Sequence, residues 1–173
     1  IILAIPIIFS NLSRVIMGLA DMAMVSRLGA KALAATGMGS LLVWVFLSMG
    51  IGVRTAVQTV SARRLGEKKY SECGDALLNG IVLALCIAIP FTIIGTLYSN
   101  EIATLFLKDR AVISYCRDYL FIGYFSLIFV LIGFAFQGFY AGVEETRVHM
   151  VVTITSNALN IYLNAGLIYG SDK

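Results

Sequence analysis

One acidic side chain, Asp21, interrupts a long apolar segment near the start of the chain. An ionisable group inside lipid is costly, so it must face a bundle interior or a wet cavity, where desolvation disfavours its charged form. Asp21 is therefore a candidate for binding and releasing a proton near neutral pH, or for exchanging that proton for a cation. The structural alternative is that Asp21 is solvated near the membrane surface or caps a neighbouring helix.

Three amides, Asn157, Asn160 and Asn164, recur at spacings of three and four in an apolar segment near the other end of the chain. This spacing places them on one helix face, which must meet a polar partner. Beside one carboxylate, amide oxygens can ligate a small hard cation or accept a hydrogen bond from the protonated acid. The alternative is interhelical hydrogen bonding that only holds helices together.

Three further residues are candidates for the same site. Arg14 precedes Asp21 by seven residues on nearly the same helix face. Seven residues rise about 10.5 Å and both side chains lean toward the helix N-terminus, so no direct ion pair is predicted. Arg14 then bridges through another helix or water, or snorkels for structural reasons. Pro6 is predicted to bend the first helix and to give it two shapes. Gln137 is a candidate polar residue of a cavity.

The elements that position these residues follow from composition. The 173 residues are 59% hydrophobic and 13% charged, against about 25% charged in a soluble domain, which excludes a water-soluble fold. Charges are absent from residues 32–53, 76–100, 119–143 and 148–170. Each stretch has about the 20 residues that cross a hydrocarbon core.

The fold class predicted is an all-α membrane protein, a polytopic bundle of transmembrane helices. Spanning backbone must be helical or part of a closed barrel, and the apolar runs are continuous rather than alternating. Five helices are predicted, near residues 1–25, 32–56, 76–98, 119–141 and 150–169. The connection at 99–118 is long enough for an amphipathic interfacial helix. We expect one transmembrane domain over residues 1–173, truncated at both ends.

Orientation is predicted from the connection at residues 61–75. It holds the densest group of cations, Arg63, Arg64, Lys68 and Lys69, so we expect it to be cytoplasmic. The total count of Lys and Arg in the other connections does not decide between the two orientations.

Several classes of function are disfavoured. Cys73, Cys86 and Cys116 are too widely spaced for a disulfide framework or a zinc site, so free thiols are predicted. The net charge of +3 suits membrane topology rather than nucleic-acid binding. An enzyme is not expected, because the sole histidine, His149, is predicted in a loop and no phosphate-binding loop is present. No cofactor is expected beyond a coupling ion.

Four segments together resemble one family. Residues 18–30 (GLADMAMVSRLGA), with Pro6 upstream, look like the first helix and following loop of the multidrug and toxic compound extrusion (MATE) exporters. Residues 137–147 (QGFYAGVEETR) resemble the turn after that family's fourth helix, and residues 157–170 (NALNIYLNAGLIYG) its fifth helix. With SARRLGEKK after the second helix, the matches cover almost the whole chain in the family's order.

The resemblance implies a twelve-helix transporter of two six-helix lobes in the plasma (inner) membrane, which exports organic cations and drugs in exchange for H⁺ or Na⁺. This chain would supply helices one to five of the first lobe, and its partner would be a missing second lobe. Asp21 is similar to the family's coupling carboxylate, Asn160 to the amide beside it, and Pro6 to the proline at the bend. Some members carry an acid where this chain has Asn164, which favours H⁺ here and leaves Na⁺ open.

Two other readings compete. A lipid-linked precursor flippase of the same superfamily would line its cavity with several cations, and Arg14 and Arg54 are the only two intramembrane ones expected. A membrane scaffold would use the polar stripe only to hold helices together.

Overall fold

The computed structural model describes residues 4–169, and no strand occurs among them. Six helices follow one another: α1 (Ala4–Ser26), α2 (Ala30–Gly66), α3 (Tyr70–Leu97), α4 (Ser99–Phe106), α5 (Arg110–Gly142) and α6 (Thr146–Tyr169). The all-helical membrane class predicted from the continuous apolar runs is confirmed. Four of these helices are long and apolar enough to cross a membrane: residues Ile8–Ser26 of α1, and all of α2, α3 and α5.

α6 does not meet the same criterion over its described residues, although it is 24 residues long. Its three amides lower the mean hydropathy of the segment, so apolarity alone does not identify it as a span. The length of α6, about 36 Å, would still suffice to cross a hydrocarbon core.

The helices are longer than the apolar runs. α2 continues through the cationic segment to Gly66, ten residues past the predicted end, because backbone hydrogen bonding does not stop at the headgroups. Lys68 then adopts the left-handed conformation with φ 58°. The Lys69 N–H donates to Arg64 O (3.0 Å) and the Lys68 N–H to Leu65 O (2.9 Å), closing the last turn as a Schellman motif.

α5 and α6 also begin earlier than predicted. Asp109 caps α5, since its side chain accepts a hydrogen bond from the Ala111 N–H at 2.8 Å. α6 begins at Thr146, so His149 lies inside a helix, and the prediction that it lies in a loop was wrong. α4 occupies the connection where an extra helix was expected; its eight residues span about 12 Å and cannot cross a bilayer.

The contacts divide the chain into two compact units, and the single transmembrane domain over residues 1–173 stays a prediction. The first contains α1 and α6, in segments Ile1–Leu33 and Glu144–Lys173. The second, Ala34–Val143, contains most of α2 together with α3, α4 and α5.

The core of the second unit lies around α5. Leu120, Leu127 and Leu131 are fully buried there, together with Tyr124. The Thr92 hydroxyl of α3 donates a hydrogen bond to the Tyr124 backbone carbonyl at 2.9 Å. The ring of Phe46 on α2 packs edge-on against the Tyr124 ring, with the ring centroids 5.4 Å apart. This hydrogen bond and ring contact tie α2, α3 and α5 into one core.

Glycines bring α2 and α5 into backbone contact. A side chain at Gly138 would meet the backbone of Arg54, and one at Gly142 would meet Gln58 O at 2.7 Å. Small residues of this kind let helices approach closely in lipid, where apolar burial provides no driving force between helices.

Candidate functional site

The candidate site lies between α1 and α6, both in the first unit. Two hydrogen bonds join them: Asn157 Nδ2 donates to Ser13 Oγ at 2.9 Å, and Asn164 Nδ2 donates to Asp21 Oδ1 at 2.8 Å. The partners are 144 and 143 residues apart. Because the offset is nearly constant, the helices run parallel, with the amide face of α6 turned toward α1.

Asp21 is partly buried and bonded directly to Asn164 rather than to Asn160. The same Nδ2 group also donates to Asn160 Oδ1 at 2.8 Å. An amide nitrogen carries two hydrogens, so Asn164 uses both of them to link the acid to the second amide. Asn160, which the family resemblance places beside the acid, therefore reaches it through Asn164.

Asp21, Asn164 and Asn160 form a hydrogen-bonded triad, and its chemistry depends on the oxygens that accept no hydrogen bond. Asp21 Oδ2 and Asn164 Oδ1 have no hydrogen-bond partner within residues 4–169. Oδ2 is therefore open to a proton or a cation. Which end of an amide carries nitrogen is assigned from the hydrogen bonds. A half-turn of the Asn164 amide would therefore present an oxygen to a cation instead.

The other predicted residues are placed as follows. Asn157 is bonded to Ser13 and not to Asp21. Arg14 is exposed, and it makes no ion pair with any described residue. Gln137 belongs to α5 in the second unit, where its Oε1 is buried without a partner among the described residues. Pro6 lies in α1, but its side chain is outside the described part, so the bend there stays a prediction.

Sequence reasoning missed part of the polar face. Thr153 and His149 pair through Thr153 Oγ1 and His149 Nδ1 at 3.3 Å. Together with the amides they form a polar stripe on one face of α6, because positions 149, 153, 157, 160 and 164 are three or four residues apart. The whole stripe was not identified from the sequence because the residues between these positions are mostly apolar. Ser13, the partner of Asn157, was also missed, because a hydroxyl is ordinary in a membrane helix.

No group of three or more His, Cys, Asp or Glu side chains that could hold a metal is found in the described part of the chain. The Asp21 triad has one carboxylate and two amides, so any cation there would depend largely on neutral oxygens. Cys73, Cys86 and Cys116 are free thiols.

Long apolar helices define an integral membrane protein, and its first helix carries a partly buried carboxyl that is hydrogen-bonded to an amide of the parallel helix α6. The chain belongs to the MatE family, whose model matches residues 6–165.

The relatives are described as multidrug resistance proteins. The chain is 28% identical over 171 residues to a probable multidrug resistance protein NorM of Halalkalibacterium halodurans, covering 98% of this chain and 37% of that protein. It is 26% identical over 170 residues to the multidrug resistance protein NorM of Burkholderia vietnamiensis, with the same coverage of both. The chain thus spans little more than a third of these relatives.

Solved structures share the fold. A multidrug resistance MATE family transporter of the MOP superfamily, in an outward-facing conformation, superposes with a TM-score of 0.91 at 20% identity, over 97% of this chain and 37% of that one. A MOP superfamily transporter from Pyrococcus furiosus, described as having a binding pocket of reverse polarity, gives 0.91 at 20% identity over the same shares.

Proposed function

We propose that this chain is part of a secondary active multidrug exporter of the plasma membrane, which extrudes organic cations in exchange for H⁺ or Na⁺. The multidrug resistance names of its relatives support the substrate class. The observation that carries the exchange is the hydrogen bond from Asn164 to Asp21 at 2.8 Å, with Asn160 behind it. The drug cavity would be completed by a second lobe.

Exchange follows from the single negative charge. A carboxylate that has taken up a proton no longer attracts a cation, so the coupling ion and a cationic substrate stabilise different states of the site. Protonation would also turn Asp21 Oδ2 into a donor and reorient the Asn164 amide. Because Asn164 belongs to α6, this change would loosen or tighten the α1–α6 pair and favour a different shape of α1 about Pro6.

H⁺ is favoured over Na⁺ as the coupling ion. A proton needs one carboxylate oxygen, whereas a hard cation needs several oxygens and gains from more negative charge. In this chain position 164 is an asparagine rather than an acid, so Asp21 is the only carboxylate of the Asp21–Asn164–Asn160 group. Asn164→Asp would add a second carboxylate, and we expect it to increase the stimulation of transport by a Na⁺ gradient.

The test is transport of a fluorescent cationic dye by the protein expressed from its complete reading frame, in proteoliposomes. A pH gradient and a Na⁺ gradient are imposed separately. The wild type should move dye under the pH gradient, and Asp21→Asn should stop this while inserting normally. Asn157→Ala is the matched control, because it removes the other α1–α6 bond without touching the acid. Dye movement indifferent to both gradients would refute ion coupling.

A purely structural role for the polar stripe is the competing function, and the Asn157–Ser13 bond favours it locally. The same variants separate the two. If the stripe only holds helices together, Asp21→Asn should be the milder change, because it keeps an acceptor for Asn164, whereas Asn157→Ala removes its bond to Ser13. Ion coupling predicts the opposite order.

A further inference from the structure

The polar stripe of α6 extends well beyond the ion site. It runs from position 149 to position 164, a rise of about 22 Å along the helix, and each of its five polar residues is partly buried. Asn160 and Asn164 take part in the ion site, whereas His149, Thr153 and Asn157 do not. The contact between Thr153 Oγ1 and His149 Nδ1, at 3.3 Å, is within α6, so it does not itself hold α6 against α1.

Two hydroxyls of α1 lie on the side that faces the stripe. Ser13 Oγ accepts a hydrogen bond from Asn157 Nδ2 at 2.9 Å, and its own hydrogen stays available for a further acceptor. Ser10, one turn earlier on the same face, is only 1% exposed. The offset of 143 to 144 residues that relates the two helices places Ser10 level with Thr153. Hydroxyls therefore occupy the levels between the imidazole of His149 and the amide of Asn157.

Such a row of groups can pass a proton. A hydroxyl donates and accepts at the same time, and an imidazole can take a proton on one ring nitrogen while it gives one up from the other. Successive levels of the stripe are three or four residues apart, about 4.5–6 Å, which one water molecule spans with two hydrogen bonds. Ionisable side chains in such rows are typical of proton relays in membrane pumps and transporters.

His149 and Asp21 lie at opposite ends of the α1–α6 pair. His149 is in the first four residues of α6, whereas Asp21 is five residues before the end of α1 at Ser26. Because the helices are parallel, their first turns lie on the same side of the membrane. With the cationic α2–α3 connection in the cytoplasm, as its density of Lys and Arg favours, that side is the cytoplasmic one.

We propose that the α1–α6 interface is the route by which the proton held at Asp21 is released to the cytoplasm, and that His149 passes it to water. The proton leaves Asp21 Oδ2 for a water molecule beside Asn160, and each hydroxyl or water below accepts one proton as it gives up another. Thr153 Oγ1 then donates to His149 Nδ1, and the proton on Nε2 leaves to cytoplasmic water. The ring returns to its first tautomer through water, and Asp21 is again a carboxylate. This inference rests on the proposed function, because it requires Asp21 to carry the coupling proton.

The surroundings of His149 suit a group that exchanges protons with water. The nearest titratable side chain of α1, Arg14, lies level with position 157, about 12 Å further along the axis. The titratable neighbours along the chain are Glu144, Glu145 and Arg147, all of which are exposed. Two carboxylates and one guanidinium leave a negative balance around the imidazole, which does not repel a departing proton.

The test is uptake of a fluorescent cationic dye by inside-out membrane vesicles that contain the full-length protein, because their outer face is the cytoplasmic one. The lumen is made acidic and the outer solution is weakly buffered. His149→Ala should slow uptake about tenfold, less than the roughly 100-fold or more that a positioned proton-transfer group can contribute, since water replaces part of the relay. Imidazole in the outer solution should restore the rate, because it accepts the proton in place of the missing ring.

Four controls distinguish a relay from a structural role. Pyrazole, a ring of the same size that takes up no proton near neutral pH, should restore nothing, and wild type in the same additives corrects for any loss of gradient. His149→Gln keeps a hydrogen-bonding partner for Thr153 but cannot take up a proton, so it should be as slow as His149→Ala. Thr153→Val should also slow uptake, whereas Thr153→Ser should not. This last pair keeps the test decisive where the His149 variants fail to insert.

Three outcomes would overturn the route. If Asp21→Asn stops uptake but His149→Ala is as fast as wild type, the proton leaves Asp21 elsewhere, and the proposed function stands without this route. If His149→Gln is as fast as wild type, or pyrazole restores His149→Ala as well as imidazole does, the stripe only supports packing. If wild-type uptake does not respond to the pH gradient and equals that of Asp21→Asn, the proposed proton coupling and the route fail together.

Discussion

At the scale of single residues, Asn164 is the group on which the site depends. Its one nitrogen donates to both Asp21 and Asn160, so its removal separates the acid from the second amide. Removal of Asn160 would leave the bond to the acid in place. The two amides share a face and a chemistry, yet they are not equivalent.

This inequality has a measurable consequence for transport. Asn164→Ala removes the hydrogen bond to Asp21 and also separates the acid from Asn160, whereas Asn160→Ala leaves the bond to Asp21 in place. We expect Asn164→Ala to slow dye transport under a pH gradient several-fold, since one such hydrogen bond contributes about 1 kcal/mol. Asn160→Ala should slow it much less. Equal losses in the two variants would contradict the geometry.

The amide stripe was predictable from sequence, but the partner of the acid was not. Spacings of three and four put Asn157, Asn160 and Asn164 on one face. Which of them meets Asp21 depends on the axial register of α1 against α6. That register is set by packing along both helices, with an offset of 143 to 144 residues, and no local pattern encodes it.

At the scale of elements, the helix ends differ most from expectation. Apolar runs locate the middle of each span because they report lipid contact, whereas helix ends are set by backbone geometry and caps. The end of α2 depends on Lys68, a residue type that rarely adopts positive φ. The start of α5 depends on the Asp109 cap, which sits in a segment that composition assigns to a loop.

Charges join α2 to α3 across this turn. Arg64 Nη1 lies 2.8 Å from Glu67 Oε2 and 3.0 Å from Glu72 Oε2. The hydrogen bond from Arg64, and then that from Arg63, lowers the pKa of Glu67 below its ordinary value. The contribution of this carboxylate to the turn is therefore present above its unfolded pKa and is lost as pH falls through the lower folded value.

The close contact between α2 and α5 allows a prediction about helix packing. Gly138→Ala places a methyl group against the Arg54 backbone, which cannot move aside as a side chain can. We expect a loss of about 1–3 kcal/mol in the free energy of unfolding, the usual effect of overpacking. Gly133→Ala, on the same helix with open space around it, should be neutral or slightly stabilising. Thermal unfolding in detergent compares them, and equal melting temperatures would mean that the helices are not in contact there.

At the scale of the whole molecule, the parallel pairing of α1 and α6 constrains the topology. If α2, α3 and α5 each cross the membrane once and α4 does not, α6 must run in the same direction as α1. The two hydrogen bonds between α1 and α6 show that these helices do run in the same direction. We therefore expect α6 to be a fifth span, although its amides keep it below the hydropathy of the other four. Hydropathy and the helix pairing are independent observations, and only the second favours a span for α6.

Because successive spans cross the membrane in alternate directions, assigning one connection to a side of the membrane assigns all the others. The α2–α3 connection carries Arg63 and Lys69 beside Lys68, and Lys and Arg density near span ends favours the cytoplasm regardless of paired acids. The connection between α4 and α5, which holds Lys108, must then face outward. Arg63→Cys and Lys108→Cys, each in a background with the native cysteines replaced by serine, distinguish the two sides.

We expect a membrane-impermeant maleimide to label Lys108→Cys in intact cells and Arg63→Cys only after permeabilisation. Both positions are exposed, so failure to react cannot be assigned to burial in the protein. The reverse labelling pattern would mean that the chain has the opposite orientation in the membrane. His149 and the start of α6 would then face outward, and Asp21, near the other end of the pair, would lie closer to the cytoplasm. An exporter driven by protons entering from outside would then have to admit them along the polar stripe of α6, from His149 to Asn164, rather than release them through it.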